Sequence, residues 1–346
     1  MGARVFDLPP RAAEVAAEVT MLANLPAGPG ERAEAILDAL RQVIPFQAAR
    51  IALLDPELRQ HDLLSCRGYN DRIRAYMTTQ EHHAEIESLG LHRTAPLRVQ
   101  DLPVPAEEIR SWMELFQPAG FREGIGIGLV VADGRRVGLL GFNTDNPAYA
   151  SPAACNLVQL LAPTIAHAVD PLRSPALLAR IVRGMTAATV LTTSGRTLPL
   201  PGLPTHPLLE ATSAVLLAAT THLGGTPDYA VFLVPYDRWP AEAGHVRITV
   251  FGCNGRPRHL RAVVAVGAPG DLCGLTGTEL EIMGALVEGW TAASIAASRN
   301  IPVEIVEGDL ERVRIKLAAP DRITASLRAV REGLYVPTEM AVITRA

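Results

Sequence analysis

The chain has 346 residues, 48% of them hydrophobic and 20% charged, with a formal net charge of −4 at pH 7. That length suits two or three domains of an ordinary soluble globular protein. Four cysteines, Cys66, Cys155, Cys253 and Cys273, lack paired spacing, which excludes a disulfide framework and a zinc motif, and no apolar run is expected to span a membrane.

The first residues carry acidic side chains and prolines rather than a charged leader with an apolar core, so a cytoplasmic protein is expected. A helical pattern from Pro10 to Ala23, within an N-terminal segment 1–27, is broken by the Pro/Gly stretch Pro26 to Gly30. Glu31 to Val43 then reads as an amphipathic helix with Ala33, Ile36, Leu37, Leu40 and Val43 on one side. Ala48 to Leu54 is a strand that turns at Asp55-Pro56, and Leu63 to Arg67 is its partner. Asp71 to Leu91 has a polar helical pattern, and Leu97 to Leu102 leads into a helix ending near Phe116. Two strands, Gly124 to Val131 and Arg136 to Phe142, meet at Asp133-Gly134, a strong hairpin signal. A long apolar helix, Pro152 to Val169, closes the unit.

This order of helix, two strands, helical insertion, hairpin and closing helix resembles a GAF sensor domain over residues 28–170. The resemblance implies an α/β fold, one antiparallel sheet with helices on one face and a pocket on the other. Tyr76, Trp112, Phe116 and Phe121 are the large aromatics expected at such a pocket, with Cys66 beside it. Cys66, next to Arg67-Gly68-Tyr69, reads either as a reactive thiolate or as a half-buried strand cysteine, the plainer reading. Gly124-Ile125-Gly126-Ile127-Gly128 is not a nucleotide loop, because it continues into a strand instead of opening a helix. His82-His83, with His61 and His92, could bind a metal in principle. Adjacent helical positions point about 100° apart, however, and a solvated polar helix is expected.

A connecting helix is expected over 171–187, with Ala176 to Val182 at its centre. From 188 to 268 a hairpin around Ser194-Gly195 precedes a helix from His206 to about His222 and strands at Ala230 to Val234, His245 to Phe251 and Leu260 to Val266. Two strands, a helix and three strands is the element order of a PAS-like α+β domain or of a coupling domain without ligand.

The segment 274–337 reads as four short helices, followed by a tail at 338–346. Thr276 and Glu279 form a capping box ahead of Leu280, Met283, Leu286 and Val287, and Gly289 ends that helix. Thr291 caps a second helix bearing Ile295 and Ala296, and Asn300 supplies the turn. After Pro302, residues Val306, Leu310, Val313 and Leu317 recur at helical spacing, so one face packs inward and the other is free for a groove. A fourth helix, Asp321 to Glu332, puts Ile323, Leu327 and Val330 on one side.

Leu275-Thr276-Gly277-Thr278-Glu279-Leu280-Glu281-Ile282, Glu288-Gly289, Ile295-Ala296, Val306, Leu310, Lys316-Leu317 and Arg322 together resemble the C-terminal all-α helix-turn-helix domain of LuxR-type transcriptional regulators. That resemblance implies that the third helix reads DNA, here with Arg299, Glu304, Gly308, Arg312, Arg314 and Lys316, and that Leu327 and Val330 lie at a dimer surface. The chain departs from the family at Ala293, Glu304, Glu307 and Asp309, where small polar or basic residues are usual, and at Arg299-Asn300, where a leucine-glycine pair is usual. Between Leu275 and Val336 there are seven Glu and two Asp against six Arg and one Lys, a net charge of −2. DNA normally demands a basic footprint, so weak or partner-assisted binding is expected.

The α+β multidomain chain is therefore expected to be a homodimeric, DNA-binding regulator whose sensor region answers a small ligand or partner. The alternative is a regulatory interaction module with a helix-turn-helix that does not bind DNA unaided. No Ser/His/Asp set, cleft carboxylate pair or metal motif points to an enzyme, and no cofactor is implied.

Overall fold

A computed structural model describes residues 8–174, 184–223, 229–236, 244–253 and 255–343. The chain forms two compact units, one of Met1–Arg173 with Gly255–His259 and one of Ser174–Asn254 with Leu260–Ala346. The connecting helix expected around Ala176 to Val182 falls outside the described residues.

In the first unit, helices α1 (Ala12–Ala23) and α2 (Pro29–Arg41) precede strands β1 (Ala48–Asp55) and β2 (Gln60–Arg67). Helices α3 (Asp71–Met77) and α4 (Gln80–Ser88) follow, then the two-residue strand β3 (Leu97–Arg98), the hairpin of β4 (Glu123–Val130) and β5 (Arg136–Thr144), and helix α5 (Pro152–Val169). The strands make one antiparallel sheet in the order β2-β1-β5-β4-β3, so the unit is GAF-like in element order.

Period-two alternation decides what each face buries. Ile51 and Leu53 of β1, Ile125, Ile127 and Leu129 of β4, and Leu140 and Phe142 of β5 join one core with α1, α2 and α5. The opposite face meets a second apolar cluster that contains Tyr69, Ile73, Met77, Trp112, Phe116 and Phe121. Helix α2 starts at Pro29, where Glu31 accepts from the Gly28 amide at 2.9 Å, and buried Arg32 ties it to α5 by donating to the Ala168 carbonyl at 2.7 Å.

Three expectations for this unit change. The polar helical stretch after Asp71 is two helices, because Asn70 and Thr79 each cap a new start by accepting from Ile73 and His82 amides. The helix expected to end near Phe116 is reduced to a last turn, π-helical over Trp112–Phe116, with short 3₁₀ turns before it, since Pro103 and Pro105 bar an earlier start. Among the described helices α5 is also 18 residues long with a mean hydropathy of 1.2, enough by length and composition to cross a membrane, although half of it is buried in the core.

In the second unit, β6 (Met185–Thr192), β7 (Thr197–Pro199), β8 (Tyr229–Pro235), β9 (His245–Gly252) and β10 (Leu260–Gly267) form another antiparallel sheet in the order β7-β6-β10-β9-β8. Both sheets thus share one strand order. Helix α6 (Ala214–Leu223) is shorter than expected from His206. The chain makes one 3₁₀ turn at Pro207–Leu209 and becomes extended at Glu210 before Ser213 restarts a helix by accepting from the Val215 amide.

Four helices follow: α7 (Gly277–Val287), α8 (Ala292–Arg299), α9 (Val303–Lys316) and α10 (Arg322–Glu332). A further short helix, α11 (Thr338–Ile343), occupies residues expected to be tail. Sheet and helices share a continuous core, from Phe232 and Ile248 to Met283, Leu310 and Val336. Residues 334–336 join them, because the Leu233 amide donates to the Tyr335 carbonyl at 2.8 Å and the Val336 amide to the Leu280 carbonyl at 3.0 Å.

Candidate functional site

Facing pairs across the first sheet build a cavity. Arg50 of β1 lies opposite Gly141 of β5, Gly141 lies opposite Gly126 of β4, and Gly126 lies opposite Leu97 of β3. Paired residues of an antiparallel sheet share a face, so the Arg50 side chain meets two glycines in its row. A Cβ on Gly141 would stand 3.3 Å from Arg50 Nε. The Gly-Ile-Gly-Ile-Gly run is thereby explained: its isoleucines fill the helix-side core, and its glycines admit Asn143, Leu91 and the His92 carbonyl close to the other face.

The cavity has a volume of about 80 Å³. Its floor includes Arg50, Gly124, Gly126 and Gly141; α4 adds His82 and Glu85; and Trp112 and Phe116 form one wall, their rings stacked at 5.9 Å and 12°. Of the expected pocket residues, Trp112 and Phe116 line it, whereas Cys66, Tyr76 and Phe121 do not. Phe121 packs behind Phe116 and against Tyr69. Cys66 is half-buried on β2 opposite Arg50, and Tyr76 packs edge-on against His82 at 5.1 Å.

The electrostatics of the cavity are unusual. Arg50 is 7% exposed, its Nε has no hydrogen-bond partner, and among the described residues no carboxylate pairs with it. Burial lowers its pKa, and more distant Tyr69, Cys66 and Glu85 pull the other way. His82 and His83 are not solvated but 3% and 5% exposed, and neither ring nitrogen of His82 has a hydrogen-bond partner, although Nδ1 lies 3.9 Å from Glu85 Oε1. Burial, then Arg50, holds His82 well below the ordinary imidazole range, so the ring is neutral and offers one donor and one acceptor. Burial also raises the pKa of Glu85, which accepts from the Ser111 hydroxyl. Asn143, another lining residue, accepts from the Tyr69 hydroxyl at 2.7 Å. Among the described residues no group of three or more His, Cys, Asp or Glu could hold a metal ion.

Sequence reading missed Arg50 and placed His82 on a solvated helix instead of at the cavity. One signal was available for Arg50, a lone charge inside the apolar run Ala48 to Leu54.

The basic side chains expected to meet DNA all have acidic partners within the second unit. Arg299 pairs with Glu281 at 2.8 Å and Arg314 with Glu311 at 2.6 Å, while Arg312 bonds Asp309 and lies 3.7 Å from Glu279; Arg322, outside the expected set, bonds Glu307. Lys316 reaches Glu279 at 2.7 Å, a carboxylate that also accepts from the Thr276 amide and is nearly buried. Burial raises the Glu279 pKa, but Lys316 and Thr276 outweigh it and the net shift is downward. Glu304 is exposed and Gly308 half-buried on α9. Asn300 adopts the left-handed conformation at the α8 C-terminus, with φ 53° and ψ 46°. Leu327 and Val330 are 65% and 45% exposed on α10.

No protein-family model matches the chain, and no curated protein matches it. Solved structures similar to part of it include the GAF domain of a phosphoenolpyruvate-protein phosphotransferase from Coxiella burnetii, with a TM-score of 0.39 and 14% identity, covering 48% of this chain and 97% of that one. Another is the phycocyanobilin-bound GAF domain of a cyanobacterial phytochrome, with a TM-score of 0.37 and 13% identity, covering 48% and 96%. A third is free methionine-R-sulfoxide reductase from Neisseria meningitidis in complex with its substrate, with a TM-score of 0.35 and 14% identity, covering 49% and 96%.

Proposed function

We propose that the chain is a cytoplasmic, ligand-responsive transcriptional regulator. The GAF-like cavity takes a small molecule, the second sheet is a PAS-like coupling domain, and α7 to α10 are a LuxR-type helix-turn-helix that acts on DNA as a homodimer. The chain is not proposed to be an enzyme. The observation that supports this reading most is the split surface of α9: Val306, Leu310 and Val313 are buried, while Glu304, Ile305, Arg312 and Ile315 are exposed on its other side. A helix held by one flank after a tight turn can lay the other in a major groove.

The ion pairs decide which cations can serve. Exposed pairs contribute only about 0–1 kcal/mol, so Arg314 and Arg322 can exchange their carboxylates for phosphates at little cost, whereas Arg312 faces the nearly buried Asp309 and Glu279. Lys316 cannot do so cheaply, because its release would leave the nearly buried Glu279 carboxylate with less compensation. Two phosphate contacts per copy make four per dimer and imply a log–log salt slope of about −4.

Fluorescence anisotropy with fragments flanking the protein's own gene, across a salt series, tests this. Specific binding that Arg312→Ala with Arg314→Ala weakens supports it. A folded protein that binds no fragment above a random duplex at low salt refutes it. The second reading, a regulatory protein-interaction module, is favoured by the same ion pairs: every cation expected at DNA already has a carboxylate partner.

A further inference from the structure

Arg50 is the least explained charge in the first unit. A guanidinium withdrawn from water costs several kcal/mol unless an anion compensates it, and buried charges are accordingly found paired. Here the side chain lies on the cavity floor, 7% exposed, with Nε unpartnered and no carboxylate within ion-pair distance among the described residues. The two glycines in its row let side chains lie close on the sheet, Arg50 itself over Gly141 and Leu91 over Gly126, where a Cβ would stand 2.7 Å from Leu91 Cδ2. The cavity also has an apolar wall, the stacked rings of Trp112 and Phe116, with aliphatic Ile86, Leu89 and Ile109 near them.

We infer that the cavity binds a small organic carboxylate, its anionic group paired with Arg50 and its flat apolar body against Trp112 and Phe116. This rests on the reading of the cavity as the ligand site. A guanidinium fork matches a carboxylate with two parallel hydrogen bonds, and neutral His82, neither of whose ring nitrogens is hydrogen-bonded within the protein, can add a donor. The charge balance selects a monoanion. Arg50 is the only cationic side chain lining the cavity among the described residues, and Glu85, which also lines it, opposes a second negative charge. A phosphate monoester, carrying nearly two charges, is therefore disfavoured.

Isothermal titration calorimetry on the full chain tests this with phenylacetate, 3-phenylpropionate and indole-3-acetate, each against its neutral amide, and with phenyl phosphate. At least one acid is expected to bind at least about tenfold more tightly than its amide, and Arg50→Met should abolish the difference. An amide that matches its acid, phenyl phosphate that binds more tightly than every acid, or Arg50→Met that retains acid affinity overturns the inference while leaving the cavity as a ligand site. Absence of binding by acids and amides alike in the millimolar range overturns both. If Arg50→Met does not fold, the contrast between acid and amide on the unaltered chain still decides.

Discussion

His61 and His82 pack edge to face at 6.4 Å, and both are buried. Burial, then Arg50, pushes His61 down to about 3 and His82 well below 6.5. The folded state therefore keeps both rings neutral at a pH where an unfolded chain protonates them. Since the unfolded state then binds more protons, their contribution to stability is complete above about pH 6.5 and is lost as pH falls from there, for His61 towards about 3. Each ring contributes a slope of about 1.4 kcal/mol per pH unit inside that window. Urea unfolding followed from pH 7.5 to 5 should show the loss, and His61→Leu should flatten it; an unchanged slope would mean that the ring is not held neutral. These histidines read as solvated in the sequence because an imidazole gives no local sign of burial. What buries them is the packing of α4 against β2, including the 5.2 Å contact of His83 with His61.

At the scale of the element, glycines separate tertiary demand from local tolerance. A Cβ on Gly128 of β4 would stand 1.9 Å from the His92 carbonyl oxygen, and the Gly128 amide donates to the Arg93 carbonyl at 2.7 Å. Neither backbone can yield, so Gly128→Ala should destabilise the protein by about 3 kcal/mol. Gly308 inside α9 is the opposite case, since a Cβ there meets only Arg312 Nη1 at an ordinary 3.6 Å. Gly308→Ala should stabilise by about 1 kcal/mol through helix propensity alone. Denaturant midpoints of the two variants check both signs. The glycine run in β4 was visible in the sequence as a strand and not as a phosphate loop, but its purpose, admitting Leu91 and residues 92–93 close to the sheet, was not. Capping was more legible: Thr276 and Glu279 make the expected reciprocal bonds at 3.3 and 2.7 Å, because a capping box is complete within four residues.

For the whole molecule the proposed dimer gives the clearest test. Ile323, Leu327 and Val330 are 75%, 65% and 45% exposed along α10, an apolar stripe at helical spacing. If that stripe joins two copies, light scattering should find a dimer, and Leu327→Asp with Val330→Asp should convert it to a folded monomer with an unchanged circular dichroism spectrum. A dimer that survives both charges would place the interface elsewhere.

What the sequence determined by itself is set by interactions a few residues long. The hairpin at Asp133-Gly134, the alternation along β4 and β5, the caps at Thr276, Thr291 and Asp321, and the inward face of α9 follow from backbone preference and periodicity. Only the tertiary structure decided which faces meet. Arg50 lies unpaired beside Gly141 and Gly126 because three strands come together in one register, and Lys316 is held by Glu279, 37 residues away, because α7 and α9 pack together. The electrostatic state of a side chain depends on neighbours brought close by the fold, and no local pattern records them.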